Sequence, residues 1–460
     1  MLRLLIASLA LAAAPLAARP LTPAEAAAVD KLVADTLKET GVPAVSIAIV
    51  RDNRLAFAKA YGKASDTLGA ARPEQPYQIA SISKQFTAMA ALLLEDDGKL
   101  DLDDPVAQWL PGISGGERIT LRQLLSHTAG IADYWPQDYS FAAMERPARP
   151  GDIIDRWARK PLDYQPGTRW QYSNTGYVVA GQIIEKAAGE PLMALMQRRI
   201  FAPLGLTVRS QDDSMTAAFP QGYERAALGP VRPVTWPGRG WMYATGELAM
   251  SATDLAKWNI ARLTRTGLPG DDWAEQEQPV LRSDGASNGY GLGIYNRRLR
   301  DRRIVSHGGA AVGFLTQNAV YPDSRAAITV LTNADFSGAS GDLLQGLERI
   351  VLSPPDAQVT EGDRLADVRT LYAGLVAGRL DRTRLTENLN YYFNRTRTAD
   401  YRTSLAPLGT PTITLNGPAI LRGGFVNRVY TLKYAKRELS LSTYAEPGAN
   451  GRWEQFMITP

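Results

Sequence analysis

Apolar and polar positions alternate along this chain with periods that change from segment to segment. Residues 22–39 show helical spacing, with Thr22 placed as the cap and Pro23 in the first turn. Two β-rich runs follow at 44–50 and 55–61, and Asp52-Asn53 between them predicts a hairpin turn. An apolar helix opens near Ser81 and closes near Gly98, and 101–220 breaks into helical pieces separated by Pro and Gly. Strand patterns return at 290–295, 303–306, 314–321 and 326–332, the last two joined by a polar turn, before a helix at 340–352. Strands at both ends of a helical middle predict one antiparallel sheet in which the early strands pair with the late ones and helices cover the faces.

The polar, Pro-containing run 353–364 lacks periodicity and reads as a linker. Beyond it, helical patterns at 365–380 and 384–405 precede strand patterns at 412–415, 428–434, 439–444 and 453–458. The expected organisation is a catalytic unit over 19–352 and a small accessory α+β domain over 365–460. Residues 1–18 carry Arg3, an apolar stretch and small residues near Ala17, the form of a secretory signal peptide. That reading places the protein in the periplasm or outside a bacterial cell, with no stable membrane insertion of the mature chain.

Composition adds limits. The 460 residues are 45% hydrophobic and 21% charged with net charge +4, as in a soluble globular protein. The one dense basic run, Arg297 to Arg303, lies between strand patterns and reads as a solvated hairpin turn, so no nucleic-acid partner is expected. With no cysteine and only His127 and His307, neither disulfides nor a structural zinc site is expected. The glycines of 289–295 mimic a dinucleotide-binding pattern but open a strand, so no cofactor is assigned.

Three short motifs carry candidate chemistry. Ser81 and Lys84 stand three apart at a helix start, which puts them on one face and within reach of each other. Such a serine with a desolvated lysine makes a nucleophile–base pair; the ordinary alternative is a capping serine and a solvated lysine. Tyr172 and Asn174 precede a second helix, where Tyr172 is a candidate proton shuttle and Asn174 a candidate partner for a substrate amide; Asn174 could equally cap the helix. His307-Gly308-Gly309 ends a strand, and the glycines there allow close approach of a substrate backbone.

Taken in this order, S-x-x-K, Y-x-N and a K-T-G-like H-G-G resemble the serine β-lactamase and penicillin-binding-protein-like hydrolase family. The segments 121–131, 166–177, 201–206 and 244–258 add to the resemblance, which spans about 42–333. It implies an α+β fold, an antiparallel sheet flanked by helices plus an all-helical subdomain. It further implies a Ser81 acyl-enzyme, with Lys84 and Tyr172 sharing acid–base work and Asn174 orienting substrate. The oxyanion would be held by the N–H groups of Ser81 and Ala310, with Gly309 and His307 lining the substrate site.

His307 departs from the family's usual lysine. An imidazole is mostly neutral at pH 7 and would hold a substrate carboxylate less firmly than an ammonium. The expected activity is therefore hydrolysis of an ester or a peptide-like amide, D-amino-acid-containing substrates included. The alternatives are a β-lactamase, a D,D-carboxypeptidase, or a penicillin-recognising or peptidoglycan-binding protein with slow turnover. The partner is a small-molecule or peptide substrate, with peptidoglycan among the candidates. His127 reads as structural, because no G-x-S-x-G elbow accompanies it. Asp133, Tyr134, Trp135, Trp236 and Trp241 are candidate walls of the cleft.

Overall fold

The computed structural model describes residues 20–459, except 138, 300–301, 353–360, 418, 423 and 449–450. The segment read as a signal peptide therefore lies outside the described residues, as does most of the segment read as a linker. Two compact units emerge, one comprising residues up to Arg297 with Ile304–Val351, the other Arg298–Arg303 with the chain from Leu352 onward.

In the first unit, α1 (Pro23–Thr40) starts on a capping box. Thr22 Oγ1 accepts the Glu25 N–H at 3.2 Å, and Glu25 accepts the Thr22 N–H at 2.7 Å. Strands β1 (Ala44–Arg51) and β2 (Arg54–Ser65) follow, and their turn uses positive φ at Asp52 and Asn53, 52° and 60°. The two-residue β3 (Gly69–Ala70) edges the sheet. The late strands are β4 (Tyr295–Leu299), β5 (Arg302–Ala311), β6 (Phe314–Tyr321) and β7 (Ala326–Thr332).

The sheet order is β3-β2-β1-β7-β6-β5-β4, and β1 runs antiparallel to β7 from Val45↔Thr332 to Val50↔Ala327. The early strands thus close against the late ones. β1 is almost wholly buried, with β2 and β7 on its two edges. Ala48 and Val50 join a core with Leu255 and Trp258 of α4 (Ala252–Thr264), which packs on β1 and β7. Helix α5 (Ala339–Val351) packs on α1 and β7.

Helices α2 (Lys84–Asp96) and α3 (Asn174–Ala188) form the centre of the helical region. Every side chain of α2 from Lys84 to Leu94 is buried, so this helix is surrounded on all sides. One strand expectation fails: 290–294 is a loop closed by a Tyr290↔Tyr295 bridge, and β4 begins only at Tyr295. Gly289 and Gly293, with φ of 82° and 75°, turn the backbone there. The basic run read as a turn instead contributes strand residues on either side of 300–301.

The second unit holds α6 (Glu361–Ala377), which starts inside the segment read as a linker, then α7 (Glu387–Tyr392) and α8 (Arg395–Leu405). Its sheet orders β8 (Thr412–Leu415), β10 (Phe425–Lys433), β11 (Glu438–Ala445) and β12 (Trp453–Thr459), with β9 (Ile420–Arg422) paired to β10. Tyr430, Trp453, Phe456 and Leu375 fill its core.

Candidate active site

Ser81 lies in a 3₁₀ turn, Ala80–Ser83, that runs directly into α2. Side chains three apart eclipse in a 3₁₀ turn, so Lys84 stacks on Ser81 and its Nζ donates to Ser81 Oγ at 3.2 Å. Lys84 is fully buried, and its remaining N–H groups go to Asn174 Oδ1 and the Thr245 carbonyl, each at 2.8 Å. Burial pushes the ammonium down to about 7, opposed by the nearby Asp133 carboxylate. The lysine is therefore not a solvated one, and the serine is not a helix cap: Ser83 occupies that position.

Tyr172 reaches Ser81 from the other side, its hydroxyl donating to Ser81 Oγ at 2.8 Å. Burial drives the phenol far above its ordinary range, so it stays protonated. Ser173 caps α3, its Oγ accepting the Gly176 N–H at 3.1 Å, and Asn174 is the first helical residue. Each end of the Asn174 amide already has one partner in the site: Oδ1 accepts from Lys84, and Nδ2 donates to Asp133 Oδ2 at 3.2 Å, which leaves one further donor and one further acceptor on the amide.

His127 and His307 are joined through Tyr290. His127 Nδ1 accepts the Ser173 N–H at 3.1 Å, which leaves its proton on Nε2, 3.2 Å from Tyr290 Oη. The Tyr290 hydroxyl then donates to His307 Nε2 at 3.0 Å, and His307 Nδ1 donates to the Gly308 carbonyl at 2.5 Å. These proton positions are assigned from the hydrogen-bond network. Burial lowers His307 to about 4 and His127 well below its usual value, helped in both by the Lys84 charge, so both rings are neutral at pH 7. His307 is 5% exposed with both nitrogens engaged, so the direct hold on substrate assigned from sequence has no free donor to act through. His127 also stacks on Tyr172 with ring centroids 4.2 Å apart, which makes it a support of the site.

Gly309, on β5, lies against the turn that carries Ser81, and a β-carbon there would stand 2.2 Å from the Ile79 carbonyl oxygen. Its neighbour Ala310 is exposed and sits opposite Leu315 on β6. Half-buried Trp135 packs with Ala80, Met242 and Ala311 beside Ser81. Trp236 stacks on Phe314, whereas Tyr134 and Trp241 are buried and bonded to each other, hydroxyl to carbonyl. Three non-glycine residues with positive φ, Ala80, His127 and Ala244, directly adjoin these groups, a concentration of strain expected where geometry is held for chemistry. Thr87 of α2 fixes the Ala244 carbonyl at 2.9 Å and so steadies the Thr245 turn.

Sequence patterns did not reveal the parts played by Asp133, Thr245 and Tyr290. Tyr290 lies in the glycine run that mimics a dinucleotide-binding pattern, which hides its part in the site. Among the described residues, no group of three or more His, Asp or Glu could hold a metal ion, and no helix is long and apolar enough to cross a membrane.

A family model described as Beta-lactamase matches residues 29–352. The chain belongs to the beta-lactamase family. Penicillin-binding protein 4* of Bacillus subtilis (strain 168) is 29% identical to this beta-lactamase-family chain over 296 residues, 61% of this chain. The match spans 65% of that relative's length. Esterase EstB of Burkholderia gladioli is 27% identical over 378 residues, 71% of this chain and 95% of its own. The crystal structure of a D-stereospecific amidohydrolase from Streptomyces sp. superposes with TM-score 0.61 at 29% identity, covering 71% of this chain and 98% of its own. The beta-lactamase-family fold, an antiparallel sheet with helices packed around it, is thus shared with hydrolases of more than one kind.

Proposed function

We propose that the protein is a serine hydrolase that opens an ester or a peptide-like amide through an acyl-enzyme on Ser81. The observation that carries this reading is the bracketing of Ser81 Oγ by Tyr172 Oη at 2.8 Å and Lys84 Nζ at 3.2 Å. In its neutral form Lys84 keeps two N–H bonds, to Asn174 Oδ1 and the Thr245 carbonyl, and its lone pair faces Ser81. The Ser81 proton passes to Lys84 Nζ as Oγ attacks the substrate carbonyl carbon. The resulting oxyanion is held by the N–H groups of Ser81 and Ala310. The leaving nitrogen or oxygen takes its proton from Tyr172, which is restored by Lys84. Water then attacks the acyl carbon by the same route in reverse, freeing the acid and Ser81.

A neutral, fully bonded His307 offers no cation to a substrate carboxylate, which supports an ester or uncharged amide over a β-lactam or a D-Ala-D-Ala terminus. The esterase and D-stereospecific amidohydrolase relatives support the same substrate range. Export to the periplasm or beyond, from the signal-like first 18 residues, would give access to peptidoglycan-derived peptides.

The test is a panel of a short-chain p-nitrophenyl ester, a D-alanyl anilide, a D-Ala-D-Ala peptide and a β-lactam, read by turnover and intact mass. The ester and anilide should turn over, and Ser81→Ala should abolish both turnover and the acyl adduct. Full turnover by Ser81→Ala would remove Ser81 from the mechanism. An adduct that forms but never clears would make the protein a slow-turnover penicillin-recognising protein.

A further inference from the structure

We propose that Asp133 is a positioning residue for Lys84, acting through the side-chain amide of Asn174; the inference rests on the Ser81–Lys84 reading above. Asp133 Oδ1 accepts the backbone N–H of Asn174 at 2.9 Å and that of Trp135 at 3.2 Å. Its other oxygen accepts Asn174 Nδ2 at 3.2 Å. An ionised carboxylate only accepts hydrogen bonds, so the Asn174 amide has one permitted orientation, NH₂ toward Asp133. Asn174 Oδ1 is thereby turned onto Lys84 Nζ at 2.8 Å.

This orientation aims the lysine. Asn174 Oδ1 and the Thr245 carbonyl each take one N–H, which leaves the third position on Nζ to face Ser81 Oγ. With the amide reversed, an NH₂ group would confront Lys84, and the amine would turn its lone pair to Asn174 instead of Ser81. Asp133 thus decides, one residue removed, where the base points.

The titratable groups around Lys84 are Asp133 from the loop after the short helix Leu121–Leu125, Tyr172 from the segment before α3, Tyr177 from its first turns, and the two histidines. The phenols are protonated and the imidazoles neutral near pH 7; burial raises the Asp133 carboxyl, opposed by the Trp135 and Asn174 N–H groups and the Lys84 charge, and Asp133 is the group whose charge acts on the lysine. It favours the Lys84 ammonium, against burial.

The experiment compares wild type, Asp133→Asn and the double variant Asp133→Asn/Asn174→Asp, using p-nitrophenyl acetate. Readouts are the single-turnover acylation rate, the pH profile of kcat/KM, and the intact mass at Ser81. In Asp133→Asn one amide must reverse, so kcat should fall about 10²-fold, at the lower end of general-base contributions, with KM little changed. Its acid limb should move to lower pH, because the anion has gone. The double variant returns an acceptor to Lys84 and sets a carboxylate directly beside it. Part of the acylation rate should return, with the acid limb above that of wild type.

A wild-type rate and an unshifted limb in Asp133→Asn would overturn the proposal and make Asp133 a loop anchor only. Should Asp133→Asn not fold, the double variant carries the test, and an unmoved limb there overturns it. Absence of any Ser81 adduct in wild type would instead strike the underlying serine-hydrolase reading.

Discussion

Gly309 approaches Ile79 more closely than any side chain permits: a β-carbon on Gly309 would stand 2.2 Å from the Ile79 carbonyl oxygen and 2.4 Å from Thr316 Oγ1. Both obstacles are fixed, since Thr316 Oγ1 donates to that same carbonyl at 3.2 Å. The contact sets the spacing between β5 and the turn that carries Ser81. Gly309→Ala should push the strand away and carry the Ala310 N–H off the reacting carbonyl. Loss of one oxyanion donor typically costs ~10²–10³ in rate, and overpacking costs about 1–3 kcal/mol in stability. Steady-state kinetics with thermal melting checks this; a Gly309→Ala enzyme with wild-type kcat would show that Ala310 takes no part.

Lys84 predicts a pH dependence in both rate and stability. As the proposed base, with an ammonium that titrates at about 7, it should give kcat/KM a tenfold fall per pH unit below that point. For stability, the folded lysine loses its proton near 7 while the unfolded one keeps it to about 10.4. Between those values the unfolded chain binds more protons, so this group makes stability rise with pH. Lys84→Met should remove that rise while abolishing turnover. Identical slopes of melting temperature from pH 7 to 9 in the two proteins would refute a depressed lysine.

A third expectation concerns the support beneath α2. Glu277 is 2% exposed in its side chain and meets Arg262 at 3.0 Å and Arg265 at 2.6 Å, while Arg262 also reaches Gln85 of α2 at 3.1 Å. Removing one member of a buried ion pair typically costs about 3–5 kcal/mol, because the remaining charge stays buried without compensation. Glu277→Gln should therefore unfold at markedly lower denaturant. At a temperature where it remains folded, kcat should stay within a few-fold of wild type, since Glu277 touches none of the reacting groups. Denaturant melts paired with kcat at 15 °C separate the two effects.

What the sequence made legible follows from local chemistry. Ser81 and Lys84 could be paired because a helical start fixes residues three apart, and Tyr172 and Asn174 could be placed because a helix begins beside them. The Asp52-Asn53 turn was readable because few residue types accept positive φ. The return of β7 to β1 was foreseen from the order of strand and helix patterns. By contrast, His127 and Tyr290 are 163 residues apart, and Asn174 and Asp133 are 41 apart. No periodicity announces a buried hydrogen bond between distant side chains, since either partner alone looks like an ordinary core or turn residue. Residues 290–294 failed as a strand for a related reason. Gly293 bends the chain over α2 so tightly that a β-carbon would meet the Lys84 carbonyl oxygen at 2.6 Å. Alternating apolar residues conceal such a contact.

The His127–Tyr290–His307 chain makes the last prediction, and it concerns acid. His307 in the folded protein stays neutral down to about 4, and His127 lies well below its usual value for the same reason of burial. Between those values and about 6.5 the unfolded chain binds more protons, so both histidines make stability fall as pH drops from 6.5 toward 4. Tyr290→Phe removes the shared hydroxyl and leaves Nε2 of both rings without it, at a cost of about 1–3 kcal/mol. Its melting temperature should be lower at every pH, yet the acid slope should persist, because both imidazoles remain buried. His307→Asn should instead flatten part of that slope. Melting curves at pH 5, 6 and 7 for the three proteins decide the matter: if His307→Asn keeps the full wild-type slope, His307 is not the neutral, buried group at the end of the chain through Tyr290.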